Sequence, residues 1–323
     1  MVGHFRFLLA FFVLIAHCEI DLLSFAKLDI SKMSVAIFFI LAGRTTYKVL
    51  TVIYKSSFWA FIKDRLIRIY PSYFLCLIAS FSFFILTKYG DFQFSILKSF
   101  LTFLIIPTNY FHFIDLQQIY AIKDKAYSFV LAPFWSLGLE LQAYLLISIL
   151  VVLKKEKILK ILSLISFLIF LMSAVGIFGK DNSFLFTYVL LLGNFYVFYI
   201  GILICKKAYK EIAFYFFIAL LLLIFIYCFN LNYYWSKEVL IGVLFGIVVI
   251  LLDKKKNIKL KNKNLFGNMS YHLYVWHFLF VFISYYLFGF ANLSFVLFFS
   301  VFTSYVLAKK MDTHINNIRN YKK

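Results

Sequence analysis

Ionisable side chains lie inside the apolar runs of this chain, where each is expensive to insert into a bilayer. Arg6 and His17 stand eleven residues apart in the first run. A helix with this spacing places them on one face, about 16 Å apart along its axis. A cation at the inner surface of the membrane and a titratable imidazole near its middle can then line one cavity. The alternative is a snorkelling arginine and a histidine bonded to a neighbouring helix.

A second ionisable group, Glu140, follows Trp135 and Ser136 at the start of a later apolar run. Trp135 suits a membrane interface, and a helix would place Glu140 about 7–8 Å deeper. A carboxyl group at that depth is protonated, paired or wetted by a cavity. Glu140 can therefore orient or deprotonate a reacting group, or it can pair with a buried cation for structural reasons.

A third polar stripe consists of Ser270, Tyr274 and His277. These residues fall at i, i+4 and i+7 and therefore share one face of a helix. His277 would lie about 18 Å from the start of its run, near the middle of a bilayer. The stripe can line a polar cavity, and the alternative is ordinary aromatic packing.

Two arginines, Arg65 and Arg68, open another apolar run. Three residues apart on a helix, they share a face and can clamp a phosphate through charge-assisted bidentate hydrogen bonds. Arg44 lies nearby in sequence and adds positive potential. The alternative is ordinary anchoring of the helix by cations on the cytoplasmic side.

The elements that must position these residues are membrane helices. Of the 323 residues, 64% are hydrophobic and 22% aromatic, more than a soluble core holds. The excess lies in many runs of about 18–25 residues, each long enough to cross a bilayer. We predict an all-α, polytopic integral membrane protein with about ten transmembrane helices. The predicted spans are residues 5–23, 33–50, 65–87, 133–153, 158–178, 184–204, 211–229, 237–252, 265–288 and 290–308.

Loop charge predicts how these spans are oriented. Most of the 33 lysines and arginines fall on one side if the N- and C-termini are both cytoplasmic. The stretch 94–106 is too short for a span and contains Lys98, so we assign it as an interfacial or re-entrant segment. It belongs to a long extracytoplasmic segment, 88–132. Residues 1–308 would then form a transmembrane domain and 309–323 a short basic cytoplasmic tail.

The net charge of +19 does not indicate nucleic-acid binding. The basic residues lie in short loops between apolar runs rather than on one soluble face. The cysteines lack the paired spacing of metal ligands, and we predict no metal site.

Together these motifs resemble the membrane-bound acyltransferase-3 family of O-acyltransferases, in order and spacing, over most of the chain. Ala42, Arg44, Leu141 and Ala143 depart from residues common in the family, which bears on the donor pocket or the choice of acceptor. The matching motifs are Arg6 and His17; Phe38-Phe39-Ile40-Leu41-Ala42-Gly43; Arg65, Arg68 and Pro71; Trp135-Ser136-Leu137 and Glu140; and Ser270-Tyr271, Leu273-Tyr274 and Trp276-His277.

The resemblance implies transfer of an acyl group, most often acetyl from acetyl-CoA, to a hydroxyl group of a cell-surface glycan. It is closest to stand-alone members without a C-terminal esterase-like domain. It implies no permanently bound cofactor, since acetyl-CoA is a substrate. The implied partners are the lipid bilayer, acyl-CoA and a glycan or lipid-linked glycan acceptor, at the inner (cytoplasmic) membrane of a bacterium.

The resemblance also suggests roles for the candidate residues. His17 would be a general base or a transient acyl carrier, and Glu140 and Arg6 would be further catalytic residues. The acyl-CoA site would contain Arg65, Arg68 and Arg44. The residues expected to line the cavity are Trp135, Ser136, Ser270, Tyr274 and His277.

Three other functions are compatible with the residues alone. A flippase for a lipid-linked sugar would use the same polar cavity without chemistry, and a glycan polymerase or ligase would also have many spans and a large outer loop. In both, Arg65 and Arg68 would only anchor a helix and CoA would not bind. A structural membrane component would leave the two midplane histidines and Glu140 unexplained.

Overall fold

The computed structural model describes residues 2–20, 22–23, 28–121, 128–231, 235–256 and 261–320, and these residues are mainly helical. They contain no β-strand, and Phe92 and Ile119 form an isolated bridge. Single π-helical turns follow α2 and α7. The helices are α1 Val2–His17, α2 Ile30–Lys48, α3 Phe58–Thr87, α4 Ile96–Phe103, α5 Trp135–Val152, α6 Glu156–Ala174, α7 Lys180–Phe184, α8 Leu191–Lys206, α9 Tyr209–Cys228, α10 Ser236–Lys256, α11 Lys263–Phe288 and α12 Leu293–Asn320.

The exposed faces of the long helices are apolar. On α9, for example, Phe217, Leu221 and Ile224 lie about one turn apart and are all exposed, as are Phe298 and Phe302 on α12. Faces of this kind require lipid rather than water. Within the described residues, eight helices are long and apolar enough to cross a membrane, and Val2–His17 is a shorter apolar helix. The protein is therefore an all-α polytopic membrane protein, as predicted.

Each of the ten predicted spans coincides with a helix, while the count of ten and the side of the termini stay predictions. Several bounds differ from the prediction: α12 extends to Asn320 rather than 308, α3 begins at Phe58 rather than 65, and α1 ends at His17 rather than 23, among others. The early end of α1 is the difference that bears on the site. The chain turns there because the N–H groups of Glu19 and Ile20 donate to the carbonyl oxygens of Ala16 and Ile15. In the stretch 94–106, α4 has eight residues and is too short to cross a bilayer.

The chain forms two compact units. The first unit contains Met1–Asp21, Asp64–Gly138 and Lys259–Lys323, and thus α1, most of α3, α4, α11 and α12. The second unit contains Leu22–Lys63 and Leu139–Ile258, and thus α2, most of α5, and α6 to α10.

In the first unit, α1 runs parallel to α11. Near the start of both helices, the rings of His4 and Phe266 lie 4.5 Å apart. Farther along both helices, the rings of His17 and His277 lie 5.2 Å apart. Contacts therefore advance in the same direction on α1 and α11.

The helix α3 is also parallel to α11. The hydroxyl of Tyr271 donates to the carbonyl oxygen of Ile69 at 2.7 Å, and farther along, the rings of Phe84 and Phe282 are 5.1 Å apart. Gly289 then reverses the chain, so that α12 returns antiparallel to α11. The positive φ of 77° at this position favours glycine.

In the second unit, α2 and α8 pack closely through glycines. A Cβ atom at Gly43 would lie 1.9 Å from the carbonyl oxygen of Phe198, and one at Gly201 would lie 2.1 Å from that of Ile40. Phe39 stacks on Phe198 with ring centroids 4.8 Å apart. The motif Phe38–Gly43 is therefore a helix-packing motif, as small residues often are between membrane helices.

Candidate active site

His17 is the last residue of α1 and lies against the middle of α11. Its ring stacks on that of His277 with an interplanar angle of 14°, and the ring of Phe278 contacts it edge-on at 5.2 Å. His277 is the fifteenth residue of α11, about 21 Å from the start of that helix. The structure thus brings together two histidines that are 260 positions apart in the sequence.

The two ring nitrogens of His277 have different surroundings. Its Nδ1 lies 2.9 Å from the carbonyl oxygen of Tyr274 and 3.2 Å from that of Leu273. Because carbonyl oxygens only accept, Nδ1 carries the proton and Nε2 is an acceptor. Nε2 is buried and has no hydrogen-bond partner among the described residues. A buried acceptor of this kind is a place for a substrate or water hydroxyl.

A cavity of about 290 Å³ adjoins His17. It exists because α1 ends beside the middle of α11, which leaves the second half of α11 without α1 beside it. The residues that line it are Ala16, His17, Glu19, Tyr89, Phe278, Val281, Phe282 and Tyr285.

Three polar residues of this cavity were not among the sequence candidates. The hydroxyl of Tyr285 donates to Oε1 of Glu19, and Tyr89 lies against Phe282, with ring centroids 6.4 Å apart. Glu19 lies near the end of the predicted span 5–23, and Tyr285 follows His277 by eight residues. Neither position stands out in the sequence, because an acid at the end of a span and a tyrosine near an interface are both common.

Tyr274 connects His277 to the start of α5. Its ring lies 5.9 Å from that of His277, and its hydroxyl lies 2.5 Å from the hydroxyl of Ser136. Both hydroxyl oxygens are within 3.1 Å of the carbonyl oxygen of Pro133. Ser270 is different, because its hydroxyl donates to the carbonyl oxygen of Gly267 in its own helix. None of the five residues predicted to line a cavity is among the residues that line the cavity next to His17; the five are Trp135, Ser136, Ser270, Tyr274 and His277.

The segment before α5 supports the turn that contains Trp135. The side-chain amide of Asn109 donates to the carbonyl oxygen of Trp135 at 3.2 Å, and Thr108 donates to that of Phe134 at 2.9 Å. Both Thr108 and Asn109 are buried. Part of the predicted extracytoplasmic segment 88–132 is therefore built into the first unit, which sequence reasoning did not anticipate.

The arginines of the first unit lie near the start of α11. Arg6 follows His4, which contacts Phe266, and Arg68 precedes Ile69, which bonds to Tyr271. Along the helix axes, Arg6 and Arg68 lie about seven to eleven residues, or roughly 10–16 Å, from the position of His17. Nε of Arg6 is buried and has no hydrogen-bond partner among the described residues.

Arg65 is buried and pairs with its neighbour Asp64. Its Nη2 lies 2.5 Å and its Nε 3.1 Å from Oδ2 of Asp64. This carboxylate neutralises part of the charge that a phosphate would meet. Arg68 is half-buried and lies one turn farther along α3.

The sequence profile of the acyltransferase-3 family, described as an acyltransferase domain, matches residues 2–308. This chain belongs to the acyltransferase-3 family. Comparisons with curated proteins and with solved structures give no match. The acyltransferase match contains every candidate residue named above, so His17 and its cavity lie inside the acyltransferase domain.

Two candidates of this acyltransferase lie in the second unit. The hydroxyl of Tyr144 donates to Oε1 of Glu140, four residues away on α5. Arg44 lies on α2, where its Nη1 is buried and without a hydrogen-bond partner among the described residues. Their predicted roles in catalysis and donor binding stay predictions.

Proposed function

We propose that this acyltransferase moves an acetyl group from cytoplasmic acetyl-CoA to a hydroxyl group of a cell-surface glycan. The supporting observation is the position of His17, beside a cavity and level with the middle of α11. Arg6 and Arg68 lie level with the start of the same helix. A donor held by these arginines can extend its thioester arm toward His17, while the acceptor occupies the cavity.

In the proposed orientation, the N- and C-termini and the start of α11 face the cytoplasm of a bacterium. This follows the loop charges, because most lysines and arginines then lie inside. The cavity around His17 would open toward the opposite side, where a glycan or lipid-linked glycan is available.

His17 would act as the general base. As the acceptor oxygen attacks the thioester carbonyl carbon, the imidazole takes the hydroxyl proton. The tetrahedral intermediate then breaks its C–S bond, and the leaving CoA sulfur takes the proton from the imidazolium. The products are an O-acetyl ester and free CoA. Nε2 of His277 can accept a hydrogen bond from a hydroxyl group next to His17.

His17 can alternatively carry the acetyl group. Its nitrogen would attack the thioester, CoA would leave as the thiol, and the acetyl-imidazole would pass its acetyl group to the acceptor hydroxyl. Single-turnover incubation with radiolabelled acetyl-CoA and no acceptor separates the two roles. A carrier gives protein-bound label that His17→Ala abolishes, whereas a general base gives no labelled protein.

The proposal is tested on surface polysaccharide from cells with the wild-type chain, with no chain, with His17→Ala and with His112→Ala. His112 is exposed and serves as the matched histidine control. We expect O-acyl NMR signals with the wild type and His112→Ala. Loss of a general base lowers rates by about 10²–10⁴-fold, so His17→Ala should give none. Identical acylation in all four samples would refute acyl transfer to this polymer, and changed chain length would favour a polymerase or flippase.

A further inference from the structure

The wall of the cavity next to His17 combines aromatic rings with one carboxylate. Tyr89, Phe282 and Tyr285 supply the rings, and Glu19 supplies the carboxylate. Rings can cover the apolar face of a sugar, while a carboxylate accepts hydrogen bonds from its hydroxyl groups. At about 290 Å³, the space lies at the lower limit of ligand cavities and suits one sugar ring rather than an oligosaccharide.

Glu19 occupies a backbone position that favours glycine. It is the second residue past α1, and its φ is +61°. The N–H groups of Glu19 and Ile20 donate to Ala16 and Ile15, which is the hydrogen-bond pattern of a Schellman cap. Side chains other than glycine are strained in this conformation, and asparagine is the usual exception. Of the eleven described non-glycine residues with positive φ, Glu19 alone lines this cavity.

The carboxylate of Glu19 is held in place. The Tyr285 hydroxyl donates to Oε1, which leaves the other oxygen and the remaining lone pairs available as acceptors. The hydrogen bond joins the end of α1 to α11 across the wall of the cavity. A carboxylate that is held by Tyr285 on a strained backbone and faces the same cavity as His17 favours a binding role over a helix cap.

We propose that Glu19 positions the acceptor, by accepting hydrogen bonds from sugar hydroxyl groups that neighbour the one being acylated. The proposal rests on the proposed function, since it places the acceptor sugar in the cavity beside His17. Glu19 takes no proton in the reaction. It selects which hydroxyl group of the ring faces His17, and therefore where the acyl group is attached.

The test compares Glu19→Gly and Glu19→Gln with the wild type in cells that otherwise lack the chain. Glycine relieves the strained backbone and removes the carboxylate, whereas glutamine keeps the shape and loses the charge. Glu211→Gln is the matched control, because Glu211 is a half-buried carboxylate that pairs with Lys160 at 3.3 Å and lies on α9, outside the cavity wall. The readouts are the amount and ring position of O-acyl groups by NMR, and the thermal unfolding midpoint of each purified protein.

We expect Glu19→Gly to have an unfolding midpoint at or above that of the wild type. We also expect at least tenfold less acylation, or acyl groups moved to another hydroxyl of the same ring. Glu19→Gln should retain more of the native pattern, because its amide oxygen still accepts one hydrogen bond. Glu211→Gln should match the wild type.

Three outcomes would overturn the proposal. Wild-type amount and position of acyl groups in Glu19→Gly would show that Glu19 does not contact the acceptor. A lower unfolding midpoint in that variant would show a structural role. Complete loss of acylation in Glu19→Gln would indicate that the acceptor is cationic and needs the charge of the Glu19 carboxylate. If the wild type adds no acyl group, the proposed function itself fails, which is a different result.

Discussion

His277 is fully buried, yet one of its ring nitrogens is an acceptor without a partner among the described residues. Packing alone does not explain an imidazole here, because a phenyl ring would fill the space without burying that atom. The stacking on His17 places the same ring beside the proposed base. At the scale of single residues, the buried acceptor atom and the stacking on His17 together favour a role for His277 in the site.

We expect His277→Phe to lower kcat by about 10–100-fold, because a hydrogen bond worth about 1.5–3 kcal/mol would be lost. The KM for acetyl-CoA should not change, since the arginines lie at another level of α11. Steady-state kinetics on protein in lipid nanodiscs would measure both values. Wild-type kcat in this variant would mean that His277 only packs.

Arg65 and Arg68 should respond differently to removal. Arg65→Ala removes the cation that pairs with the buried Asp64, and breaking such a pair costs about 3–5 kcal/mol, so this variant should be unstable. Arg68→Ala should raise the KM for acetyl-CoA by about tenfold, because one charge-assisted bond to phosphate is lost. Unfolding midpoints and donor titrations separate the two effects. A stable Arg65→Ala protein with unchanged donor KM would contradict this view.

Residue types and spacing in the sequence point to His17 and His277 because ionisable groups are expensive inside apolar runs. Glu19 escapes the same reasoning, since it lies near the end of the predicted span 5–23, where an acid is inexpensive. The pairing of Arg65 with Asp64 also escapes it, because adjacent residues on a helix do not usually face each other. Whether Glu19 faces the cavity and whether Arg65 pairs with Asp64 depend on side-chain direction, which residue type does not reveal.

At the scale of elements, α11 is fastened to its neighbours by a buried polar cluster. His272 contacts Ser72 of α3 at 2.8 Å through Nδ1 and Asp312 of α12 at 3.1 Å through Nε2. Trp276 also donates to Ser72, at 3.2 Å. Since a carboxylate only accepts, Nε2 donates to Asp312. Much of the motif Ser270–His277 thus holds helices together.

We expect His272→Ala to lower the free energy of unfolding by about 2–3 kcal/mol, because Ser72 and Asp312 each lose a partner in a buried place. His112→Ala, at an exposed site, should change it little. The comparison needs thermal or denaturant unfolding of the purified variants. Equal stability of the two variants would show that the cluster contributes nothing to the free energy of unfolding.

The stability that Asp29 contributes at the start of α2 should depend on pH. Burial raises the pKa of Asp29, but the Lys32 ammonium and hydrogen bonds from Ser31 outweigh burial, so the net pKa is lowered. A lowered pKa contributes stability above the unfolded value of about 3.9, which is lost as the pH falls through the folded value. Asp29→Ala should therefore cost about 1 kcal/mol at pH 7 and less near pH 3. Unfolding at both pH values tests this, and a constant difference would contradict it.

At the scale of the whole molecule, the directions of the helices agree with the predicted spans. The parallel orientation of α3 and α11 requires an odd number of crossings between them, and the predicted assignment has five. A full span at 94–106 would make six, so α4 as a short helix fits the directions. The lengths of the apolar runs and the charges of the loops were enough to predict these helix directions. The division into two units was not predictable, because apolar composition does not specify which helices pack together.

The early end of α1 has a consequence for the surrounding membrane. Between Arg6 and its last residue, His17, the helix rises about 16 Å, about half of a hydrocarbon core of about 30 Å. Hydrophobic mismatch of this kind is relieved by local thinning of the lipid, which would shorten the path from the donor side to the glycan side. Turnover should therefore be highest in vesicles of short-chain phosphatidylcholine and fall as the lipid chains lengthen from 14 to about 22 carbons. A rate independent of chain length would mean that neighbouring helices shield α1 from lipid.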